Sequence, residues 1–257
     1  MVKMHFRRSE SVLEKLFEDS EELIRMRNLT TIGFDADDTL WQNEQFFRMT
    51  EARFADLLGD FAQAEHLTQR LLDAEKRNLA HYGFGIKGFT LSMIETAVEV
   101  TEGRVPAKVI GDILDIGREM LSHPVETLPG ARDTLEELAD GYQLVLITKG
   151  DLFDQERKLA ASGLGELFDA VEIVSDKQAD TYRRVFSRHG DGPDRAMMIG
   201  NSLKSDVVPA IEAGGWGVYV PHDLTWVLER IDAPEGNPRY RQVATLAEVP
   251  AIVRDIG

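Results

Sequence analysis

The sequence predicts an α/β protein whose parallel-sheet core is interrupted by one all-helical insertion. Three observations carry that prediction. From about residue 126 onward, short apolar runs alternate with helical patterns of about ten residues, the rhythm of parallel βαβ units. Between 42 and about 125 the periodicity is helical only. Ahead of that insertion stands one short apolar segment, TIGF at 31–34, that ends in a cluster of acidic residues.

Each element follows from local pattern. Residues 11–27, SVLEKLFEDSEELIRMR, space Val12, Leu13, Leu16, Phe17 and Ile24 on or near one helical face, which predicts a leader helix packed on the core. The stretches EQFFRMTEARFADLLGDF and EHLTQRLLDAEKRNLAHY read as helices, and GFGIKGF after them as a glycine-punctuated aromatic loop. The expected division is therefore 1–41 with 126–257 as core, and 42–125 as the helical insertion. Beyond it, ARDTLEELAD is a helix that stops at Gly141 and LFDQERKLAASG one that ends at Gly163. YQLVLIT, DAVEIVS, RAMMIGN and WGVYVP read as strands. ADTYRRVFSRHG, SDVVPAIEAGG and LAEVPAIVRDI read as helices, and APEGNPRYR as a loop.

Composition narrows the functions. The 257 residues are 43% hydrophobic and 29% charged, with 45 Asp and Glu against 29 Lys and Arg, a net charge of -16. Such a surface repels nucleic acid and anionic lipid, so neither is an expected partner. With no cysteine, a thiolate metal site, a disulfide framework and a thiol nucleophile are all excluded. No apolar stretch nears the roughly 18 residues of a membrane span, and the N-terminal residues lack a signal-peptide core. A cytoplasmic location is the expectation, and nothing in the pattern specifies an oligomeric state.

In open parallel sheets, ligands bind beyond the carboxyl ends of the strands. Those ends carry Asp35, Asp37 and Thr39, then Thr148, Lys149 and Gly150, then Asp176 and Lys177, then Asn201, Ser202 and Asp206. Residues two apart on an extended chain point the same way, so Asp35 and Asp37 address one pocket. Two carboxylates beside an incoming phosphate require a cation, and oxygen ligands of this kind suit Mg²⁺. One carboxylate can act as nucleophile and the other as proton donor and acceptor. Thr148 can hydrogen-bond a phosphoryl oxygen, and Lys177 can neutralise charge there. Lys149 and Lys204 are rival ammonium donors, and Asp38 suits a local backbone cap. A calcium loop does not fit, because its sixth position would be Leu40 rather than Gly and its twelfth Phe46 rather than Glu.

The set Asp35-Ala36-Asp37-Asp38-Thr39 resembles the DxDxT first motif of haloacid dehalogenase-superfamily phosphatases. LVLIT with Thr148 is similar to the second motif, Lys177 in SDKQADTYRRVF to the third, and MIGNSLKSDVVPAIEAGG to the fourth. The order matches, and the helical insertion lies where that family places its C1 cap. The resemblance implies a Rossmann-like core with an all-α cap, Mg²⁺ dependence, Asp35 as nucleophile and Asp37 as general acid/base. It also implies metal ligation by the Asp37 backbone carbonyl and a fourth-motif side chain. One departure stands out: the family's usual G-D-S reads Gly200-Asn201-Ser202 here, with Asp206 five residues beyond Asn201, so either Asn201 or Asp206 is the candidate ligand.

The expected site is therefore Asp35, Asp37, Thr148 and Lys177 for catalysis, Asp35, Asp37, Asn201 and Asp206 for the metal, and Thr39, Lys149, Gly150 and Lys87 for substrate. The expected reaction is Mg²⁺-dependent hydrolysis of a small phosphorylated metabolite through an aspartyl-phosphate. A dehalogenase or phosphonate hydrolase needs no leaving-group acid, so Asp37 argues against both. A phosphomutase fits every core motif, and a non-catalytic regulatory member remains the alternative outside enzymes.

Overall fold

A computed structural model describes residues 28–257; the leader helix expected over 11–27 lies outside them. The core is one six-stranded parallel sheet: β1 (Thr31–Phe34), β2 (Gln143–Lys149), β3 (Ala170–Val174), β4 (Ala196–Gly200), β5 (Trp216–Tyr219) and β6 (Tyr240–Gln242), in the order β3-β2-β1-β4-β5-β6. The chain runs outward from β1 through β2 and β3, then returns to β4 on the other side of β1. That reversal is a topological switch point, and it opens a crevice at the carboxyl ends of β1 and β4.

The sheet is buried on both faces, as a parallel sheet must be. Alternation along β2 shows it: Leu144 and Leu146 join a cluster on one side, Val145 and Ile147 a cluster on the other. On the first side lie α5 (Ala131–Ala139) and α9 (Val249–Ile256), whose Leu135, Leu138, Val249 and Val253 meet Phe34 and Ile199 in one core. On the second lie α7 (Ala179–Arg188) and α8 (Val208–Glu212), which supply Tyr182, Phe186 and Ala210.

Four helices fill the insertion: α1 (Glu44–Leu57), α2 (Ala64–Tyr82), α3 (Ile86–Val100) and α4 (Ala107–Leu121). They enclose a core of their own, in which Phe54, Leu67, Phe89, Met93 and Ile113 are buried. The chain leaves and re-enters the sheet domain side by side, since Gln42 N donates to Glu126 O (2.9 Å) and Leu128 N to Leu40 O (2.8 Å). No described helix is long and apolar enough to cross a membrane.

Three local expectations need correction. The stretch ending the APEGNPRYR loop enters β6, an edge strand of three residues whose polar composition gives no apolar run to read. The expected loop over 83–89 is only Gly83–Gly85; Ile86 already starts α3, so Lys87 sits in a first helical turn. The SDVVPAIEAGG helix begins as one wide turn over Leu203–Val207, with Val207 N donating to Ser202 O at 3.2 Å, before narrowing into α8. Pro209 has no N–H for the carbonyl of Ser205, which instead accepts from the Tyr182 hydroxyl at 2.8 Å. Between β6 and α9, Thr245 and Glu248 form a reciprocal capping box.

The wide turn brings Asp206 against the end of β4. A Cβ on Gly200 would stand 2.3 Å from Asp206 Oδ2, so glycine is required there by contact. Gly200→Ala is expected to lower stability by about 1–3 kcal/mol through overpacking, read as a reduced denaturation midpoint. Unchanged stability would mean that the Asp206 carboxylate moves aside freely.

Candidate active site

Asp35 is the first residue beyond β1, and its N–H donates to Ile199 O of β4 at 2.9 Å, which fixes it at the switch point. Its Oδ1 accepts from Lys177 Nζ, and the same ammonium donates to Asp206 Oδ1 at 2.7 Å. Asp206 Oδ2 in turn accepts from Ser202 N at 2.9 Å. One cation therefore bridges two carboxylates brought from the ends of β1 and β4. All three side chains are buried. Burial, with the Asp206 charge, pushes the Asp35 carboxyl up to about 7 against the pull of Lys177. Burial works against the Lys177 charge too, but Asp206 and Asp35 outweigh it and hold the ammonium above its ordinary range.

Asp37 is clamped by three donors. Its Oδ1 accepts from Lys158 Nζ (2.6 Å) and Trp41 Nε1 (2.7 Å), and its Oδ2 from Gln155 Nε2 (2.9 Å). Although burial opposes the charge, Lys158, Gln155 and Trp41 together set the carboxyl below its usual value. Gln155 and Lys158 lie three apart on α6 (Leu152–Ser162), so they share a face. Asp151 caps that helix by accepting from Asp154 N at 3.1 Å. Gly150 lets Gln155 approach: its φ is +142°, and a Cβ there would lie 3.0 Å from Gln155 Nε2. Asp38, at φ 60°, has the capping role expected of it and accepts from Asn43 N (2.8 Å) and Glu44 N (3.0 Å) where α1 begins.

Oxygen atoms gather between these groups. One terminal atom of the Asn201 amide lies 3.2 Å from Thr39 Oγ1, Asp35 Oδ2 and the Asp37 carbonyl oxygen. With the amide oxygen turned inward, Asp35, Asp37 and Asn201 present three acceptors to one another, a donor set that a hard cation satisfies. With the amide reversed, its NH₂ fills that role as donor. No group of three His, Asp or Glu side chains suited to a metal occurs among the described residues. Asp206 stands outside this oxygen set, because both its carboxylate oxygens are taken by Lys177 and Ser202.

A cavity opens between the sheet ends and the cap. Asp35, Asp37, Thr148, Lys149, Gly150, Lys177 and Asn201 line it from the core. Thr148 Oγ1 accepts from Gln155 Nε2 at 3.1 Å, which leaves its proton to donate. Lys149 reaches the cavity but is engaged there, by Glu229 Oε1 (2.5 Å) and Ser205 Oγ (2.7 Å), beneath the Phe84 ring at 4.2 Å. Thr39 is buried behind the oxygen atoms, outside the cavity wall. Lys87 is not brought to the cavity: from the first turn of α3 it pairs with Asp151 at 2.9 Å across the cap–core boundary, 54% exposed. Lys204 is likewise elsewhere, on the Leu228 carbonyl at 2.7 Å.

Sequence reasoning missed Gln155, Lys158 and Glu229. The first two carried a readable signal, a Gln and a Lys one turn apart on the helix that follows the second strand. Glu229 had none, because it lies in a single 3-10 turn after β5 (Val227–Glu229), too short to show a periodicity.

Comparison with known proteins gives the family and the fold. A haloacid dehalogenase-like hydrolase family model matches residues 29–214. A haloacid dehalogenase-like hydrolase from Xanthomonas campestris is 45% identical in sequence and superposes with a TM-score of 0.81, over 90% of this chain and 93% of its own. L-2-haloacid dehalogenase from Xanthobacter autotrophicus has the same fold at 20% identity, with a TM-score of 0.63 over 89% and 100% of the two chains. Glyceraldehyde 3-phosphate phosphatase from Methanothermobacter thermautotrophicus is 23% identical over 210 residues, 77% of this chain and 88% of its own. The chain belongs to the haloacid dehalogenase-like hydrolase family.

Proposed function

We propose that this hydrolase is a Mg²⁺-dependent phosphatase acting on a small phosphorylated metabolite through an aspartyl-phosphate on Asp35. The observation that carries this reading is the division of labour between two carboxylates. Asp35 is held by the Lys177 ammonium with its other oxygen in the oxygen cluster, while Asp37, two residues on and lining the same cavity, is clamped by a separate set of donors. A nucleophile and a separate proton carrier are what phosphate-ester hydrolysis requires; displacement of halide requires only the nucleophile. The phosphatase relative from M. thermautotrophicus, which acts on a small phosphorylated aldehyde, supports the same reading.

The residues fit Mg²⁺. Asp35 Oδ2, the Asp37 carbonyl and Asn201 Oδ1 would hold it, with substrate phosphate completing a set that carries a single protein charge. When bound, the ion would neutralise phosphoryl charge. Thr148 donates its free hydroxyl proton to a phosphoryl oxygen, and Lys177 balances the charge of Asp35 and of the phosphoryl group. Asp35 forms the new O–P bond as the bond to the leaving oxygen breaks, and that oxygen takes its proton from Asp37. Incoming phosphate supplies the like charge that raises the proton affinity of Asp37 against its clamp. Asp37 then removes a proton from water, whose oxygen attacks phosphorus and frees Asp35 together with inorganic phosphate.

Three results are expected. Asp35→Asn lowers p-nitrophenyl phosphate turnover by roughly 10³-fold or more with an unchanged circular dichroism spectrum; near-normal turnover by the folded variant would end the covalent route. Asp37→Asn slows alkyl phosphate esters by about 10²–10⁴-fold and the activated p-nitrophenyl ester far less. Halide release from 2-haloacids without any phosphate release would replace phosphatase by dehalogenase. Chelation abolishes activity and Mg²⁺ restores it, and Asn201→Asp lowers the half-saturating Mg²⁺ concentration by adding the charge that the oxygen set lacks. A raised or unchanged half-saturation would remove Asn201 from the ion.

A further inference from the structure

The cap side of the cavity has a chemistry of its own. Glu44, Glu51 and Glu75, with Asn78, line it from α1 and α2. Among the described residues Arg48 is the one cation paired with this group, at 2.9 Å from Glu44 and 3.4 Å from Glu51. Among the described residues, Glu75 has no hydrogen-bond or ion-pair partner. Burial, with the charges of Glu51 and Glu44, pushes its carboxyl up to about 8, and burial likewise lifts Glu44 to about 7. Three carboxylates with one partly exposed guanidinium leave this wall short of positive charge.

A second observation is independent of those carboxylates. Asn78 is 8% exposed and lines the same cavity. The Ser92 hydroxyl gives its proton to Gly88 O (2.9 Å), so it must accept from Asn78 Nδ2, which donates to it at 3.1 Å and to Glu95 Oε2 at 2.6 Å. That fixes the amide orientation and leaves Asn78 Oδ1 with no donor among the described residues. Its neighbours on the wall, Glu44, Glu51 and Glu75, are acceptors when ionised and then offer it no donor. The wall lacks hydrogen-bond donors as well as positive charge.

We infer that the cap wall formed by Glu44, Glu51, Glu75 and Asn78 binds a primary ammonium group on the leaving portion of the substrate, so that the preferred substrates are amino-bearing phosphomonoesters. An ammonium brings three donors and one positive charge, the two things missing here. A hydroxyl would bring one donor and no charge. This rests on the phosphatase reading for its other end: the phosphoryl group lies at Asp35, Thr148 and Lys177 while the amine faces the cap.

The test compares ω-aminoalkyl phosphates of two to four carbons with the matching ω-hydroxyalkyl phosphates. The wild-type protein is expected to favour the best amine by about ten-fold or more in kcat/KM, the scale of a charge-assisted contact. In Glu75→Gln that ratio is expected to fall toward one, mainly through KM. Ratios near one in the wild type, or a preference untouched by Glu75→Gln, would overturn the inference. A second arm needs no turnover: calorimetric binding of 3-aminopropylphosphonate against propylphosphonate to the wild-type protein. Tighter binding of the amine supports the pocket, and equal binding overturns it. Absence of p-nitrophenyl phosphate hydrolysis strikes the phosphatase reading alone, and the binding arm still decides the pocket.

Discussion

One buried ammonium organises the catalytic end of this molecule. Lys177 comes from the loop after β3, Asp35 from the end of β1 and Asp206 from the turn after β4, and the three meet with almost no exposure to water. Two carboxylates this close and this buried would repel each other strongly, and loss of one partner from such a group costs about 3–5 kcal/mol. The cation therefore fixes the spacing of three strand ends. Gly200 has to lack a side chain because Asp206 occupies that space, and the wide turn after β4 exists to bring Asp206 there.

A second, separate clamp holds Asp37. Lys158 and Gln155 approach it from α6 and Trp41 from the chain leading into the cap. Keeping the two clamps apart allows neighbouring carboxylates to have opposite tendencies, with Asp35 raised and Asp37 lowered. The proposed roles need the reverse order, Asp35 ionised and Asp37 protonated, and a cation at the oxygen cluster with a phosphate beside Asp37 would move the two that way. Trp41 also ties this chemistry to the cap, because the same stretch forms the crossing where Leu40 and Gln42 hydrogen-bond to the returning chain.

The cap completes the cavity and gives it a different character from the core. Core residues bring Lys177, the Thr148 hydroxyl and the oxygen atoms around Asn201, which suit an anion and a cation. Cap residues bring carboxylates and the amide oxygen of Asn78, to which no described group donates. The boundary is held by Lys87 against Asp151 and by Phe84 over Lys149, beside Trp226. Lys87, one of the four residues expected at the substrate, stands on this boundary and outside the cavity wall.

The α/β class, the position of the helical cap and the residues at four strand ends were legible in the sequence. These rest on local signals: apolar runs of strand length, helical periodicity, and polar residues directly after each strand. What lay beyond reach depends on approach between distant segments. The pairing of Asp206 with Lys177 rather than with the oxygen cluster is set by the wide turn over Leu203–Val207. The turning of Lys87 toward Asp151 is set by α3 starting three residues earlier than the glycines suggest. β6 is held by register with β5 rather than by its own composition. Glu229 reaches Lys149 across eighty positions of chain. Sequence pattern fixes which groups stand at a strand end; which charge neutralises which is decided only when the folded chain closes the distance and removes the water between them.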